Sequence, residues 1–405
     1  MNLNIRPILS ALLRNRAGAV LVSVQIAIAL AVMTNAVYIV KQRLDYINRP
    51  TGFDIANILV VASTGFRENF DYEASLTEDL TYLRSVPGVI AASATNAAPL
   101  SGSGSASDFS AHPLDRTHAA TGIYYEMDEQ SIDTLGVRLV AGRKFRREEI
   151  LPPRPGNSDS SVAPSAIVTR ALAKDIFNTD DVVGKVMYDI NGRPMTVVGV
   201  MDHMLGAWVS FKSLDHVFIT PRYPVGPAPY YLVRVQPGRL NEILRTVEEH
   251  MSNSNPNRVI TSVRPLQYYK DNSYLSDRNT TIFLISVTAL LLAITALGIF
   301  GLATFNVSTR TKQIGTRRAL GARKRDILQY FLVENALITF IGIVVGCALA
   351  LGVGLWLSHQ YQLPRLDLYY LVGGWLVLAA LGQLAVWQPA RRASTVSPAV
   401  ATRNV

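Results

Sequence analysis

The stretch from Ala17 to Val40, AGAVLVSVQIAIALAVMTNAVYIV, holds 24 residues without a charged side chain. At about 1.5 Å of rise per residue, a helix of that length measures roughly 36 Å and crosses a hydrocarbon layer about 30 Å thick. A secretory signal is the rival reading, since Arg14 and Arg16 precede the run and small residues follow near Thr34 and Ala36. The run is too long for that: a cleavable apolar region covers about 7 to 15 residues. The segment therefore predicts a retained membrane span.

Outward along the chain, three further runs have spanning length: 281–305, 335–358 and the weaker 369–387. The last contains Gln383 and three glycines, which keeps an interfacial helix as its alternative. The single cysteine, Cys347, lies inside the third run, so the long segment between the first two spans forms no internal disulfide.

The net charge of +9 is distributed unevenly. Residues 1–16, 306–334 and 388–405 hold 13 basic residues against two acids, Asp326 and Glu334, whereas residues 41–280 hold 25 basic and 27 acidic ones. Positive charge beside a span stays on the cytoplasmic side. Both termini and the 306–334 loop are thus expected inside, and 41–280 outside. A nucleic-acid role needs a basic face on the folded domain, which this balance does not supply.

Residues 41–280 compose like a globular domain. Asn57–Ser63 reads as a strand, Asp71–Ser85 as a helix with Tyr72, Leu76, Leu80 and Leu83 on one face, and Gly88–Ala94 as a second strand. The order recurs at Tyr230–Val235, Arg239–Met251 (stripe Leu240, Ile243, Leu244, Val247, Met251) and Val259–Val263. Two such units make a split β-α-β layer, about residues 50–98 and 229–270, with about 99–228 inserted as a mainly β subdomain. Strand-like segments at Met195–Val200 and Val217–Thr220 fall in the insert, and the runs Ser101–Ser107 and Leu151–Pro164 read as loops. The expected fold is an integral membrane protein of four transmembrane α-helices with a large extracytoplasmic α+β domain, a short outer loop at 359–368 and a tail at 388–405.

Chemistry is sparse. No G-x-x-x-x-G-K-[ST] loop occurs, since Gly184-Lys185 is followed by valine and lacks the upstream glycine. The six histidines show no H-E-x-x-H or paired Cys/His spacing, and no G-x-S-x-G elbow accompanies the serine run. Asp202 and His203 are adjacent, as surface polar residues often are, and are not read as an acid-base pair. The chain is expected to be no enzyme, with no catalytic, cofactor-binding or metal-ligating residue.

Ser23, Gln25, Thr34 and Asn35 in the first span are read as hydrogen-bonding groups between packed helices rather than a substrate path. Gly342, Gly346, Ala350 and Gly354 repeat every four residues and form a smooth stripe for close packing, against a helix of this chain or of a partner. The most informative segment is RTKQIGTRRALGARKRDI, Arg310–Ile327. It predicts a short amphiphilic helix to Leu320, stopped at Gly321, that seats in a partner's groove.

Here the chain resembles the MacB/FtsX-like (type VII) ABC transporter permeases. Their inner-loop pattern, R-T-x-E-I-G-x-R-R-A-L-G-A, matches Arg310, Thr311, Ile314, Gly315, Arg317, Arg318, Ala319, Leu320, Gly321 and Ala322, with Gln313 in place of the acid. Ile327 and Glu334 fall where that family tends to place an isoleucine and a glutamate, and Gln388–Arg403 resembles its tail with Thr402 for leucine. Ile132–Phe145, Val182–Lys185 and Thr196–His203 resemble the MacB-type periplasmic core domain.

The resemblance implies one span, a periplasmic porter-plus-sabre domain and three more spans in a bacterial inner membrane. It also implies a separate ATPase subunit that binds ATP and Mg, a permease dimer of like or unlike chains, and a coupling helix at Arg310–Gly321. Export of a drug, peptide or lipid-like cargo, with a periplasmic adaptor among the possible partners, is the expected function. Lipoprotein release, control of a wall hydrolase and, from another class, a stand-alone membrane receptor are the alternatives.

Overall fold

The computed structural model describes residues 16–68, 70–152, 164–224, 226, 228–361 and 366–396. Arg6, Arg14, most of the Leu151–Pro164 loop and the tail from Ser397 through Arg403 lie outside the described residues. The chain divides into two compact units, residues 49–276 and the remainder.

Helix α1 runs from Arg16 to Asn48, eight residues beyond the end of the apolar run. The extension is polar but helix-favouring, KQRLDYIN, and carries a Lys41–Asp45 pair one turn apart at 2.5 Å.

In the unit 49–276, β1 (Ile58–Gly65), α2 (Tyr72–Ser85) and β2 (Val89–Thr95) follow in order. Asp71 caps α2 by accepting a hydrogen bond from the Ala74 amide at 3.0 Å. The insert then supplies β3 (Ser105–Ser110), β4 (Ala120–Met127), α3 (Ser131–Leu135), β5 (Leu139–Gly142), β6 (Ser165–Thr169), α4 (Arg170–Phe177), β7 (Val186–Asp189), β8 (Pro194–Met201) and β9 (Val217–Pro221). β10 (Tyr230–Val235), α5 (Leu240–Ser254), β11 (Arg258–Pro265) and α6 (Leu266–Ser273) complete it.

The first and last strands form one antiparallel sheet in the order β11-β1-β10-β2. β10 lies between β1 and β2, and β1 between β10 and β11, so each β-α-β unit is split by a strand of the other. The strand period of two divides the side chains between the two faces. Leu59, Val61 and Val233 meet Leu76, Leu80 and Leu83 of α2 and Ile243, Val247 and Met251 of α5. Beneath those helices Arg258 is ion-paired to Asp79, with side chains 1% and 5% exposed. The Tyr231 hydroxyl donates to Asp79 at 2.7 Å, and Arg258 donates to the Ser254 hydroxyl at 2.8 Å.

The insert forms a seven-stranded sheet, β5-β8-β6-β9-β4-β3-β7, in which β7 also pairs with β8, so the sheet curls back on itself. Thr169 caps α4, whose Leu172, Ala173 and Ile176 pack against Val168, Val197 and Phe218. The insert is the expected mainly β subdomain, and its sheet shares a core with the first: Ile58, Val60 and Leu232 of the first pack in one cluster with Ile123, Tyr125, Ile167 and Ile219 of the second. Both faces of the first sheet are apolar, so it needs cover on both, and the insert provides the second. Arg49 closes the unit by donating to the Tyr274 hydroxyl at 2.9 Å and to the Val209 carbonyl at 3.0 Å.

The remaining helices are α7 (Leu275–Thr309), α8 (Thr311–Ala319), α9 (Lys324–Tyr361) and α10 (Leu368–Ser394). Among the described residues four helices, α1, α7, α9 and α10, are long and apolar enough to cross a membrane. Asp277 at the start of α7 forms an ion pair with Arg43 of α1.

Candidate functional site

The short helix α8 is held between two long ones by local backbone chemistry. The Thr311 hydroxyl donates to the Val307 carbonyl at 3.0 Å, and Arg310 at the N-cap breaks the regular path with ψ near 10°. At the other end the Leu320 amide donates to Thr316 O, that of Gly321 to Arg318 O and that of Ala322 to Arg317 O. Gly321 takes φ +96°, a left-handed conformation that costs glycine little, so the helix stops there. The Arg323 amide then donates to the Asp326 carboxylate at 2.9 Å, which opens α9.

The predicted coupling residues separate onto two faces. Arg310, Ile314 and Arg318, spaced by four, face inward. Ile314 is buried in one cluster with Ile327, Phe331, Ala390 and Ala393, and Gly315 is buried beside it. Arg310 is held by the Glu334 carboxylate, and Arg318 donates to the Ser394 carbonyl at 2.5 Å. Lys312, Gln313, Thr316, Arg317, Ala319, Leu320 and Gly321 face out, Leu320 with 84% of its surface exposed. Of the residues expected in the coupling helix, Ile314 and Gly315 attach α8 to its own chain, the isoleucine filling an apolar cluster one turn from two anchored arginines.

The glycine stripe meets α1 of the same chain. A Cβ on Gly342 would lie 2.8 Å from the Ser23 carbonyl oxygen, and one on Gly354 would lie 3.3 Å from Asn35 Oδ1. Ala350 is fully buried, and its carbonyl accepts from Asn35 Nδ2 at 3.2 Å. The polar residues of α1 serve the same packing: the Ser23 hydroxyl donates to Ile338 O at 3.2 Å and Gln25 Nε2 to Ile294 O at 3.0 Å. Small residues and interhelical hydrogen bonds are how helices associate where no water is expelled.

In the unit 49–276, Asp202 and His203 have separate partners. Arg138 and Arg170 hold the Asp202 carboxyl, with Arg138 the main cause of its lowered pKa, while His203 Nε2 lies 2.9 Å from the Pro50 carbonyl. Among the described residues no group of three His, Cys, Asp or Glu side chains is placed to hold a metal ion.

Two family models match the chain: the MacB-like periplasmic core domain over residues 20–249, and the FtsX-like permease C-terminal region over residues 285–398. The chain is a MacB/FtsX-like permease.

Among its relatives is the macrolide export ATP-binding/permease protein MacB of Neisseria gonorrhoeae, 27% identical over 298 residues, 69% of this chain. This permease spans 43% of the length of that relative. ABC transporter permease YknZ of Bacillus subtilis is 25% identical over 272 residues, 66% of each chain. Among solved structures, the periplasmic region of MacB from Actinobacillus actinomycetemcomitans aligns over 55% of this permease and 94% of that chain, at 14% identity and a TM-score of 0.36. The FtsX-like segment of the permease contains α8, Glu334 and the glycine stripe, and the periplasmic-core segment contains the seven-stranded sheet together with β1, β2 and β10 of the other.

Proposed function

We propose that this permease is the membrane subunit of an ABC transporter in a bacterial inner membrane, driven by ATP hydrolysis in a separate cytoplasmic ATPase. The two faces of α8 carry this reading. One face is fastened into the membrane unit through Ile314, Arg310 and Arg318, and the other presents Leu320, Ala319, Thr316 and the cations Lys312 and Arg317. An exposed leucine rimmed by exposed cations fits an acidic-edged apolar groove. The basic segments 306–334 and 388–405 support a cytoplasmic location for α8 and both termini, with residues 49–276 on the periplasmic side.

Two ATPase subunits and two permease chains make the machine. Nucleotide-dependent contacts at α8 bias the membrane helices, and the outer unit moves as one body because its two sheets share a core. Export of a drug, peptide or lipid-like cargo, with an adaptor on the periplasmic side, is the work delivered. The MacB relatives are named for macrolide export. Capture of the full chain from native membranes tests the proposal: an ABC ATPase is expected in the eluate, and release of the chain alone at full solubilisation supports a stand-alone receptor instead.

A further inference from the structure

Helix α9 meets three other elements within little more than one turn. At Glu334 both carboxylate oxygens lie 3.0 Å from Nη1 of Arg310, the residue that joins α7 to α8. At Asn335 the side-chain amide donates to Gly382 O of α10 at 3.0 Å. At Ile338 the carbonyl accepts from Ser23 of α1 at 3.2 Å. Glu334 stands ten residues after Lys324, the first residue of α9, roughly 15 Å along the axis.

The Glu334 side chain is 4% exposed and that of Arg310 17%. Arg310 Nη1 also lies 3.3 Å from the Tyr330 hydroxyl, and the Arg317 guanidinium sits 5.2 Å over the Tyr330 ring. A buried pair recovers little net stability over an apolar pair of the same volume, because both ions must be desolvated. It does resist separation, since parting the ions leaves a bare charge in a poorly solvated site. The apolar contacts of Ile314 with Phe331 can slide by a fraction of an ångström at small cost; the Arg310–Glu334 contact cannot.

We propose that Arg310 and Glu334 are the positioning pair through which displacement of α8 is passed to α9, and from the 334–338 turn to α1 and α10. The proposal rests on the reading of α8 as the ATPase contact. When α8 is pulled, α9 follows rather than the ions parting. α9 then carries α1 along the glycine stripe, and α1 leads directly to residue 49.

The test uses the full chain in nanodiscs with the ATPase that co-purifies from native membranes. In Glu334→Gln the ATPase retained and the KM for ATP stay as in the native complex, while permease-stimulated kcat falls between about twofold and about thirtyfold. Arg310→Glu loses stimulation likewise, and the exchanged pair R310E/E334R recovers it to within about twofold. Native stimulation in Glu334→Gln overturns the proposal, and so does an exchanged pair that binds ATPase normally and stays uncoupled. A native chain that retains no ATPase contradicts the reading of α8 instead. The pair is then judged by hydrogen exchange of the full chain alone. Exchange at 334–338 and in α8 rises together in Glu334→Gln and returns in R310E/E334R if the pair joins them; unchanged exchange at 334–338 overturns it.

Discussion

Gly346 of α9 lies flat against Ala27 of α1: a Cβ built on Gly346 would stand 3.0 Å from both the Cα and the carbonyl oxygen of Ala27. Backbone thus meets backbone, with no flexible side chain to give way. Gly346→Leu forces the two helices apart and costs about 1–3 kcal/mol or more. The expected result is a lower melting temperature of the full chain in detergent. Gly352→Leu, at a position with open space around it, serves as the matched control and leaves the melting temperature near native.

Loss of one partner of the buried Asp79–Arg258 pair is costly to the unit 49–276. Removing the carboxylate leaves an unpaired guanidinium beneath α2 and α5, and Asp79→Ala is expected to destabilise by about 3–5 kcal/mol. Tyr231→Phe removes only the hydroxyl that donates to Asp79 and is expected to cost about 1.5–3 kcal/mol. Denaturant unfolding followed by Trp208 fluorescence ranks the two.

The Arg143–Glu149 pair contributes acid sensitivity in the same unit. Arg143 grips both oxygens of Glu149, at 2.6 and 2.8 Å, and this hydrogen bonding is the main cause that lowers the Glu149 pKa below its ordinary value of 4.5. A lowered carboxylate contributes stability that is full above 4.5 and is lost as pH falls through the lower, folded value. Because Arg143 is 40% exposed, the effect is small, under about 1 kcal/mol. Glu149→Gln is expected to melt lower at pH 7 and to lose less than the native chain on going to pH 3.

Much of the architecture was written in apolar periodicity. The 24-residue run at Ala17 marks a span, and the stripes Leu76-Leu80-Leu83 and Ile243-Val247-Met251 mark the helices that cover one sheet face. The shared core was not legible. Ile58 and Val60 look like any buried strand residues, and only the long-range pairing shows that the insert covers them. In α8 the motif gave the helix and its stop but not its facing. Ile314 and Leu320 are both apolar, and burial of one with exposure of the other depends on Ile327, Ala390 and Ala393 from distant segments. In the sequence Glu334 is distinguished only by its resemblance to the family pattern. Its partner, 24 positions earlier, becomes evident once the helices are packed.

Introduction of a charge separates the faces of α8. Leu320→Glu is expected to leave the melting temperature within about 1 °C of native, since the side chain touches little of its own chain, and to lower the ATPase retained at least about tenfold. Ile314→Glu buries a charge in the apolar cluster and lowers the melting temperature first. Equal effects of the two on stability contradict the assignment of faces.

Site-directed cross-linking tests the account most directly. A cysteine at position 320, in a chain with Cys347→Ala, is alkylated with a photoreactive maleimide and irradiated in native vesicles. A cross-link to an ABC ATPase is expected, with a yield that changes between ATP-bound and nucleotide-free conditions. Labelling of that cysteine from the periplasmic side by an impermeant maleimide, with no ATPase cross-link in either condition, contradicts it.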